Sequence, residues 1–174
     1  MWPARRAASS TRSPRPTRRR GWWTPARRSP GCARCRRPRC APGGGRNHRG
    51  SLSDGVLLKD NHLGGLPIAD AVARALAQFP MRMVEVECDR PEQAMEAASA
   101  GAHVVMLDNM APDEVASTVR ALRARGSGVL VEVSGGLSEA TAPAYAAAGA
   151  DLLSIGALTH SAPALDLGLD LRET

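Results

Sequence analysis

Residues 43–174 alternate between short apolar runs and longer helix-like stretches, and this alternation constrains the fold more than any other feature. Short connections between such segments are typical of successive βα units and a parallel sheet. The runs are almost continuously apolar, so both faces of the sheet are expected to be covered. The predicted strands are 56–58, 83–86, 104–107, 129–133 and 152–155. The predicted helices are 68–79, 91–100, 112–125 and 138–148.

Polar or glycine-rich residues follow each predicted strand, at intervals of 21 to 28 residues. A (β/α) barrel builds its active site from the carboxyl ends of successive strands, whereas an open doubly wound sheet concentrates its site at one switch point. The pattern therefore favours the barrel. A complete barrel needs about 250 residues, so we expect a partial (β/α) barrel of about five strands and four helices.

The first 42 residues differ in composition, with 13 Arg, seven Pro and no acidic residue. Such a segment buries too little apolar surface to offset chain entropy, so we expect a disordered Arg/Pro-rich leader over 1–42. Three interpretations are open: an Arg-rich arm that binds nucleic-acid phosphates, an organelle transit peptide, or GC-rich DNA translated in the wrong frame. Residues 43–174 carry a net charge of −7 although the whole chain carries +6. The net positive charge of the whole chain therefore says little about what residues 43–174, the predicted truncated barrel domain, bind.

Several protein classes do not fit the sequence. No apolar run approaches the roughly 18–20 residues that a membrane span needs, so we expect no membrane association. Three of the four cysteines lie in residues 1–42, which is unlike the disulfide framework of a small secreted domain. No secretory signal pattern is seen, and we expect a cytoplasmic protein.

Candidate site residues lie at the predicted strand ends and just before the first of these strands. Three are cations that attract an anionic substrate: His48, Arg49 and Lys59, of which the last is the single lysine of the chain. Two are carboxylates that directly follow strands: Glu87 and Asp108. Together these five residues supply both the positive and the negative charges that a site for a phosphorylated substrate needs.

Two glycine-containing turns complete the set. Ser134-Gly135-Gly136 and Gly156-Ala157 follow the last two strands and offer backbone N–H groups that no bulky side chain covers. Cations, carboxylates and two such turns at successive strand ends indicate a phosphorylated, multiply anionic substrate.

Each of these residues also has a structural interpretation. A lysine after a strand is often an exposed charge, and a Gly-Gly pair is often only a tight turn. Glu85 and Glu87 lie on one face of their strand, where Arg82 or Arg90 are structural partners. A rival enzyme interpretation makes Lys59 a Schiff-base nucleophile.

Six blocks of residues 43–174 have the order and spacing of one enzyme family. They are GGGRNHR at 43–49, LSDGVLLKDNH at 52–62, VEVEC at 84–88, VVMLDNM at 104–110, EVSGG at 132–136 and SIGALTHSAPALDLGLD at 154–170. On these blocks the segment resembles the catalytic barrel of quinolinate phosphoribosyltransferase, also called nicotinate-nucleotide pyrophosphorylase (carboxylating). The resemblance implies an α/β fold with a partial barrel of the phosphoribosyltransferase type.

The resemblance also implies an activity. The family converts quinolinate and phosphoribosyl pyrophosphate to nicotinate mononucleotide, CO2 and pyrophosphate in NAD biosynthesis, with Mg2+, as a dimer with shared sites. It implies a homodimer in the intact family, and a nucleic-acid partner is not the expected one. By resemblance the quinolinate carboxylates are held by His48, Arg49 and Lys59, the ribose and magnesium face Glu87 and Asp108, and the phosphates lie at Ser134, Gly135, Gly136, Gly156, Ala157 and Leu158. His160 supports the last turn, and the expected catalytic residues are Glu87, Asp108 and Lys59.

Two features of the family are not found in the 174 residues. They are a small α/β domain before the barrel and a Thr-Arg-Lys motif shortly before GGG, where this chain has SPGCARCRRPRC at 29–40. The family uses that Arg and Lys, and an Arg of the partner's small domain, to bind substrate, so we expect the activity of this chain to be impaired. The alternative functions are an inactive remnant and a nucleic-acid-binding protein that acts through the Arg-rich arm.

Overall fold

The computed structural model describes residues 21–24, 45–49, 51–161 and 166–168. The strands found there are β1 (Gly21–Thr24), β2 (Gly45–Asn47), β3 (Gly55–Leu58), β4 (Met83–Cys88), β5 (Val104–Asp108), β6 (Leu130–Ser134) and β7 (Leu152–Ser154). The helices found there are α1 (Asp60–Leu63), α2 (Ile68–Gln78), α3 (Pro91–Ser99), α4 (Pro112–Ala124), α5 (Ala142–Ala147) and α6 (Ala157–His160).

The strands form one sheet in the order β2-β1-β7-β6-β5-β4-β3, and every neighbouring pair is parallel. This is the cyclic order of a barrel, because β1 pairs with both β2 and the last strand, β7. Within the part of the chain that the structure describes, the ring is open only between β2 and β3. The predicted partial (β/α) barrel is therefore confirmed, and the open doubly wound sheet is excluded.

All five predicted strands and all four predicted helices are present, and most of their ends agree within two residues. Helix α5 is the exception, since it begins at Ala142 rather than at residue 138. The Ser138 backbone N–H donates to Thr141 Oγ1 at 2.9 Å, and the Thr141 backbone N–H donates to Ser138 Oγ at 3.2 Å. These side chains give the backbone a turn that competes with the first helical turn.

Strand β1 lies inside the segment that the sequence predicts to be disordered. Trp22 is in register with Gly45 of β2 on one side and with Leu153 of β7 on the other. The structure therefore differs from the prediction at Gly21–Thr24, and the remaining residues of 1–42 lie outside those described. A four-residue strand is too short to show an alternation of apolar and polar residues. Gly21–Thr24 form a strand because they pair with β2 on one side and β7 on the other.

Alternation along the strands separates two environments. Every second residue packs against the helices in the hydrophobic core, including Val84, Val86, Cys88, Val105, Leu107, Val131, Val133, Leu153 and Ile155. The residues between them belong to the other face of the sheet, inside the barrel. Many are polar, namely Glu85, Glu87, Asp108, Glu132, Ser134 and Ser154. The apolar core thus holds the sheet to its helices, while the inside of the barrel is left for a polar site.

Candidate active site

A cavity of about 700 Å3 lies at the carboxyl ends of the strands. It is lined by all the predicted site residues except Leu158, that is, by His48, Arg49, Lys59, Glu87, Asp108, Ser134, Gly135, Gly136, Gly156, Ala157 and His160. Leu158 lies on α6 and is exposed. Because parallel strands end at one edge of a sheet, residues more than 100 positions apart in the sequence meet in this cavity.

One wall of the cavity contains a lysine–carboxylate pair. Lys59 follows β3 and Glu87 lies near the end of β4, and the register Leu58↔Val86 brings them side by side. Lys59 Nζ donates to Glu87 Oε2 in a close ion pair. Glu87 is therefore partnered by Lys59 rather than by Arg82 or Arg90. The pair engages the lysine as an ammonium cation, whereas a Schiff-base nucleophile must be an uncharged amine.

A second charged group lies deeper in the barrel, around His48. The His48 side chain is only 5% exposed, and its Nε2 lies 3.1 Å from Glu85 Oε2 and 3.4 Å from Glu132 Oε2. Glu132 Oε1 accepts a 2.5 Å hydrogen bond from Ser154 Oγ. The side chain of His48 is thus held by two carboxylates from β4 and β6, and the second of these is held by β7.

The carboxylates dominate the electrostatics of His48. Burial by itself lowers the pKa of the imidazole, but the hydrogen bonds to Glu132 and Glu85, with the charges of both groups, outweigh it and raise the pKa to about 9. Burial also raises the pKa of Glu85, while the hydrogen bond from His48 opposes the rise and the charge of Glu132 adds to it. At neutral pH, His48 is therefore a cation.

Glu132 and Ser154 line the cavity but are not among the sequence-predicted site residues. The structural alternative for Glu85, a pairing with Arg82 or Arg90, is wrong, because the structure pairs Glu85 with His48. In the segments VEVEC of β4 and VEVS of β6, Glu85, Glu87, Glu132 and Ser134 alternate with buried valines and the buried Cys88. Such acids must face a polar interior, and this alternation is the signal that identifies them.

The turn after β5 is joined to the turn after β6. Asn109 has a φ of 56°, which places it in the left-handed region, and its backbone N–H donates to the Ser134 carbonyl at 3.0 Å. Its side-chain Nδ2 donates to Asp108 Oδ2 at 2.6 Å. Gly135, with a φ of 91°, lies so close to Asn109 that a Cβ would be 2.7 Å from the Asn109 backbone nitrogen. Asn109 therefore fixes the Asp108 carboxylate and the Ser134–Gly136 turn relative to each other.

The turn after β7 is packed in a similar way. A Cβ on Gly156 would be 2.8 Å from His160 Nε2, so the imidazole ring lies directly against the glycine. His160 also donates its backbone N–H to the Gly156 carbonyl at 3.2 Å. This geometry agrees with the predicted support of the turn by His160, whose binding role stays a prediction.

One set of three side chains has the spacing that a metal site needs. Among the described residues, one group of three His, Cys, Asp or Glu side chains has ligand atoms within 4.8 Å of one another, and it is His48, Glu85 and Glu132. Glu87 and Asp108 are not part of such a group, and each has a hydrogen-bond donor, from Lys59 and Asn109 respectively. Two carboxylates without a third protein ligand are insufficient for a structural metal site but fit a magnesium ion that substrate phosphates and water also hold.

Residues 17–170 match the family described as quinolinate phosphoribosyl transferase, C-terminal domain. The chain belongs to this family. The match includes residues 17–42, the greater part of the segment predicted to be a leader, and the interpretations of that segment stay predictions. The membership agrees with the cavity, because all six sequence blocks that indicated the family contribute residues to its lining.

Relatives of known name support the same family. The nicotinate-nucleotide pyrophosphorylase (carboxylating) of Rattus norvegicus is 43% identical over 132 residues, which are 74% of this chain and 44% of that protein. A probable enzyme of the same name from Archaeoglobus fulgidus is 44% identical over 132 residues, covering 73% of this chain and 50% of the relative. The chain therefore spans about half the length of the curated relatives it matches.

Solved structures agree with the fold of this quinolinate phosphoribosyl transferase domain. NadC from Streptococcus pyogenes superposes with a TM-score of 0.76 at 34% identity, over 84% of this chain and 51% of that one. The nicotinate-nucleotide pyrophosphorylase from Francisella tularensis gives a TM-score of 0.70 at 34% identity, over 84% and 51%. Within the described residues, no helix is both long and apolar enough to cross a membrane.

Proposed function

We propose that this chain carries the quinolinate phosphoribosyltransferase site, which joins quinolinate to phosphoribosyl pyrophosphate and releases CO2 and pyrophosphate. The observation that supports this most is the meeting of cations, carboxylates and two glycine-containing turns in one cavity of about 700 Å3. That volume is typical of a site for small molecules. The names of the relatives supply the reaction, and the residues of the cavity supply the chemistry it needs.

The cationic wall of the cavity is suited to the pyridine dicarboxylate. Arg49 has a buried Nε without a hydrogen-bond partner among the described residues, and a carboxylate is its natural acceptor. His48 contributes a second positive charge and Lys59 a third, which a bound carboxylate shares with Glu87. These three residues are proposed to bind and orient quinolinate so that its ring nitrogen faces the ribose.

The opposite part of the cavity is suited to phosphates. The turns at Ser134–Gly136 and Gly156–Leu158 follow neighbouring strands, β6 and β7, and both contribute residues to the lining of the cavity. Anions bind where several backbone N–H groups converge without side chains between them. We assign the 5′-phosphate and pyrophosphate of the second substrate to these turns.

Glu87 and Asp108 lie at the ends of strands that are placed between the cationic wall and the two phosphate-binding turns. We propose that the charge of the reaction develops there. The bond from the anomeric carbon to pyrophosphate breaks, the pyridine nitrogen supplies the electron pair for the new C–N bond, and positive charge builds on the ribose. Asp108 and Glu87 are proposed to stabilise that charge, which a fixed carboxylate does best in a site shielded from water. The electrons of the C–CO2 bond then stay on the ring carbon, where the adjacent positively charged nitrogen stabilises them, and that carbon takes up a proton from water. Loss of CO2 therefore requires no nucleophile from the protein.

Magnesium is the proposed cofactor, held by Asp108 and Glu87 together with substrate phosphates. When bound, it neutralises the charge of the departing pyrophosphate. Asn109 holds the Asp108 carboxylate in place for either role. We propose the homodimer and the cytoplasmic location on the basis of the family as well.

The Asp108→Asn variant tests this function. We expect kcat/KM for nicotinate mononucleotide formation to fall about a hundredfold, because the substitution removes the charge but keeps the shape and the neighbouring Asn109. Quinolinate binding measured by calorimetry should change less than about threefold, since the cations that hold it are intact. The control is Asp113→Asn, an exposed acid in the first turn of α4, for which we expect wild-type rates.

Two assays on the full chain decide the proposal. Binding of quinolinate and of phosphoribosyl pyrophosphate, with product formation that requires Mg2+, supports it, and absence of binding of both substrates at millimolar concentration contradicts it. The expected impairment of turnover stays a separate prediction. It fails if the purified chain forms product at a rate that matches a full-length relative assayed beside it.

A further inference from the structure

The two carboxylates deepest in the barrel, Glu85 and Glu132, have no role in the proposed binding of either substrate. Glu132 is fully buried, Glu85 is 6% exposed, and both carboxylates face one nitrogen of His48. Glu85 does not line the cavity, whereas His48 does. A carboxylate beneath a site for anions would repel the ligand unless its charge is used elsewhere, and here it is used on His48.

We propose that Glu85 and Glu132 are positioning residues: they fix the His48 ring, as a cation, in the cavity wall where it contacts a carboxylate of the pyridine dicarboxylate. The identity of that ligand rests on the proposed function. The fixing of His48 itself rests on the contacts described next.

The geometry shows that His48 Nε2, the nitrogen that both carboxylates approach, carries a hydrogen. Both neighbours of Nε2 are acceptors, at 3.1–3.3 Å for the two oxygens of Glu85 and 3.4 Å for Glu132 Oε2. An imidazole nitrogen without hydrogen would present a lone pair to two carboxylates, so Nε2 is a donor. Contacts on two strands define the plane of the ring more tightly than one hydrogen bond could.

Ser154 extends this support to a third strand. Its hydroxyl donates to Glu132 Oε1, so the carboxylate has one oxygen fixed by β7 and the other facing His48. Within the described residues, the neighbour of Glu132 Oε2 is His48 Nε2 at 3.4 Å, so this buried oxygen depends on the positive charge of His48. The glutamate is thus oriented for the histidine rather than for the substrate.

The charge balance agrees with this role. The groups facing His48 are Glu85 and Glu132, and Arg49 follows it in the chain and acts on Glu85 as a second positive charge. Two carboxylates and two cations form a neutral set. His48, Arg49 and Glu132 line the cavity and Glu85 does not, so the cations of this set at the cavity wall outnumber its carboxylates there. Burial of both carboxylates is tolerated because each has a cation in reach.

The experiment compares Glu132→Gln and Glu85→Gln with the wild-type full chain. Each substitution keeps the shape and one acceptor oxygen but removes the charge. We expect the Kd for quinolinate, measured by calorimetry, to rise about tenfold to a hundredfold. The Kd for phosphoribosyl pyrophosphate should change less than about twofold. The control Glu114→Gln, at an exposed position of α4, should leave both constants unchanged.

A second readout reports on His48 directly. In 15N-histidine-labelled wild type at pH 8, we expect the His48 ring to be doubly protonated, its signals being identified by their loss in His48→Gln. In Glu132→Gln the same ring should be neutral at that pH. Ser154→Ala removes only the hydrogen bond to Glu132 and keeps every charge, and we expect a twofold to fivefold rise in the Kd for quinolinate. This variant keeps the test open if a glutamine variant does not fold.

The outcomes separate the two proposals. Equal losses of affinity for both substrates, or unchanged quinolinate affinity in folded variants, would show that the carboxylates only support the fold. A neutral His48 ring in the wild type at pH 8 overturns the positioning role whatever the affinities are. Failure of the wild type to bind quinolinate refutes the proposed function instead, and the histidine signals then decide the positioning of His48 by themselves.

Discussion

Replacing Gly135 with alanine is expected to lower the free energy of unfolding by about 3–5 kcal/mol, through strain and overpacking together. The φ of 91° belongs to the left-handed region that a side chain rarely adopts, and the new Cβ would be 2.7 Å from the Asn109 backbone nitrogen. Backbone atoms cannot rotate away as the end of a long side chain can. The turn after β6 must therefore move, or the turn after β5 must move with it.

Two other glycines separate these causes. Gly136 has a φ of 60° and nothing within 4 Å of a Cβ, so Gly136→Ala carries strain alone and should cost about 1–2 kcal/mol. Gly128 has neither a left-handed φ nor a close neighbour, and Gly128→Ala should be nearly neutral. Urea denaturation of the three variants measures the series. A loss for Gly135→Ala no larger than that for Gly136→Ala would disprove the close contact with Asn109.

The same substitution should weaken binding of the phosphorylated substrate. Asn109 links the Gly135 turn to Asp108, so displacement of the turn moves a proposed phosphate site and a proposed charge-stabilising carboxylate at once. We expect the Kd for phosphoribosyl pyrophosphate to rise by at least about tenfold in any folded Gly135→Ala protein. Quinolinate binds at the cationic wall and should be affected less. Calorimetry with each substrate distinguishes this local effect from general loss of the folded state.

Much of the fold could be predicted because strong local signals agree with the final topology. Pro91 and Pro112 stand at helix starts, and the glycines at 101, 126 and 149 stand where helices have ended, each with a positive φ. Strand β1 gave no such signal, since Gly21–Thr24 lies among arginines and prolines and is ordered by pairing with strands distant in sequence. Long-range pairing of this kind is not encoded in four residues.

Site residues at the ends of strands could be predicted from the sequence, whereas those buried deeper inside the barrel were harder to predict. Lys59, Glu87 and Asp108 follow or end their strands, so the parallel topology alone brings them to one edge. Glu132 lies inside β6, and the sequence does not show that its partner is a histidine 84 residues earlier. The alternation Val-Glu-Val-Ser indicated which face it occupies but not what it contacts. Partners across a barrel depend on how the sheet curves to bring distant strands face to face, which only the structure supplies.

Removing the charge of His48 is expected to produce the other large loss of stability. His48→Gln leaves Glu85 and Glu132 buried against each other without the cation between them, and at pH 7 we expect the free energy of unfolding to fall by about 3–5 kcal/mol. His62→Gln is the control, because His62 is exposed on α1 and accepts a hydrogen bond from the Lys59 backbone N–H, as a glutamine at that position also does. That control should differ from wild type by less than about 0.5 kcal/mol.

The pH dependence gives this prediction its sign. The pKa of His48 is raised from 6.5 to about 9 in the folded protein, so its contribution is fully present below about pH 6.5 and is lost as the pH rises through 9. The raised pKa of Glu85 acts in the same direction, since the folded state holds that proton to a higher pH than the unfolded chain does. Wild type should therefore lose stability between pH 7 and 9.5. Over that range the gap, which is the difference in free energy of unfolding between wild type and His48→Gln, should narrow.

The gap should also narrow on acidification towards pH 5, where Glu85 in the variant can take up a proton and relieve its repulsion with Glu132. Urea denaturation of both proteins at pH 5, 7 and 9.5 measures the gap, and a gap that stays constant across these three values would mean that His48 carries no charge in the folded barrel.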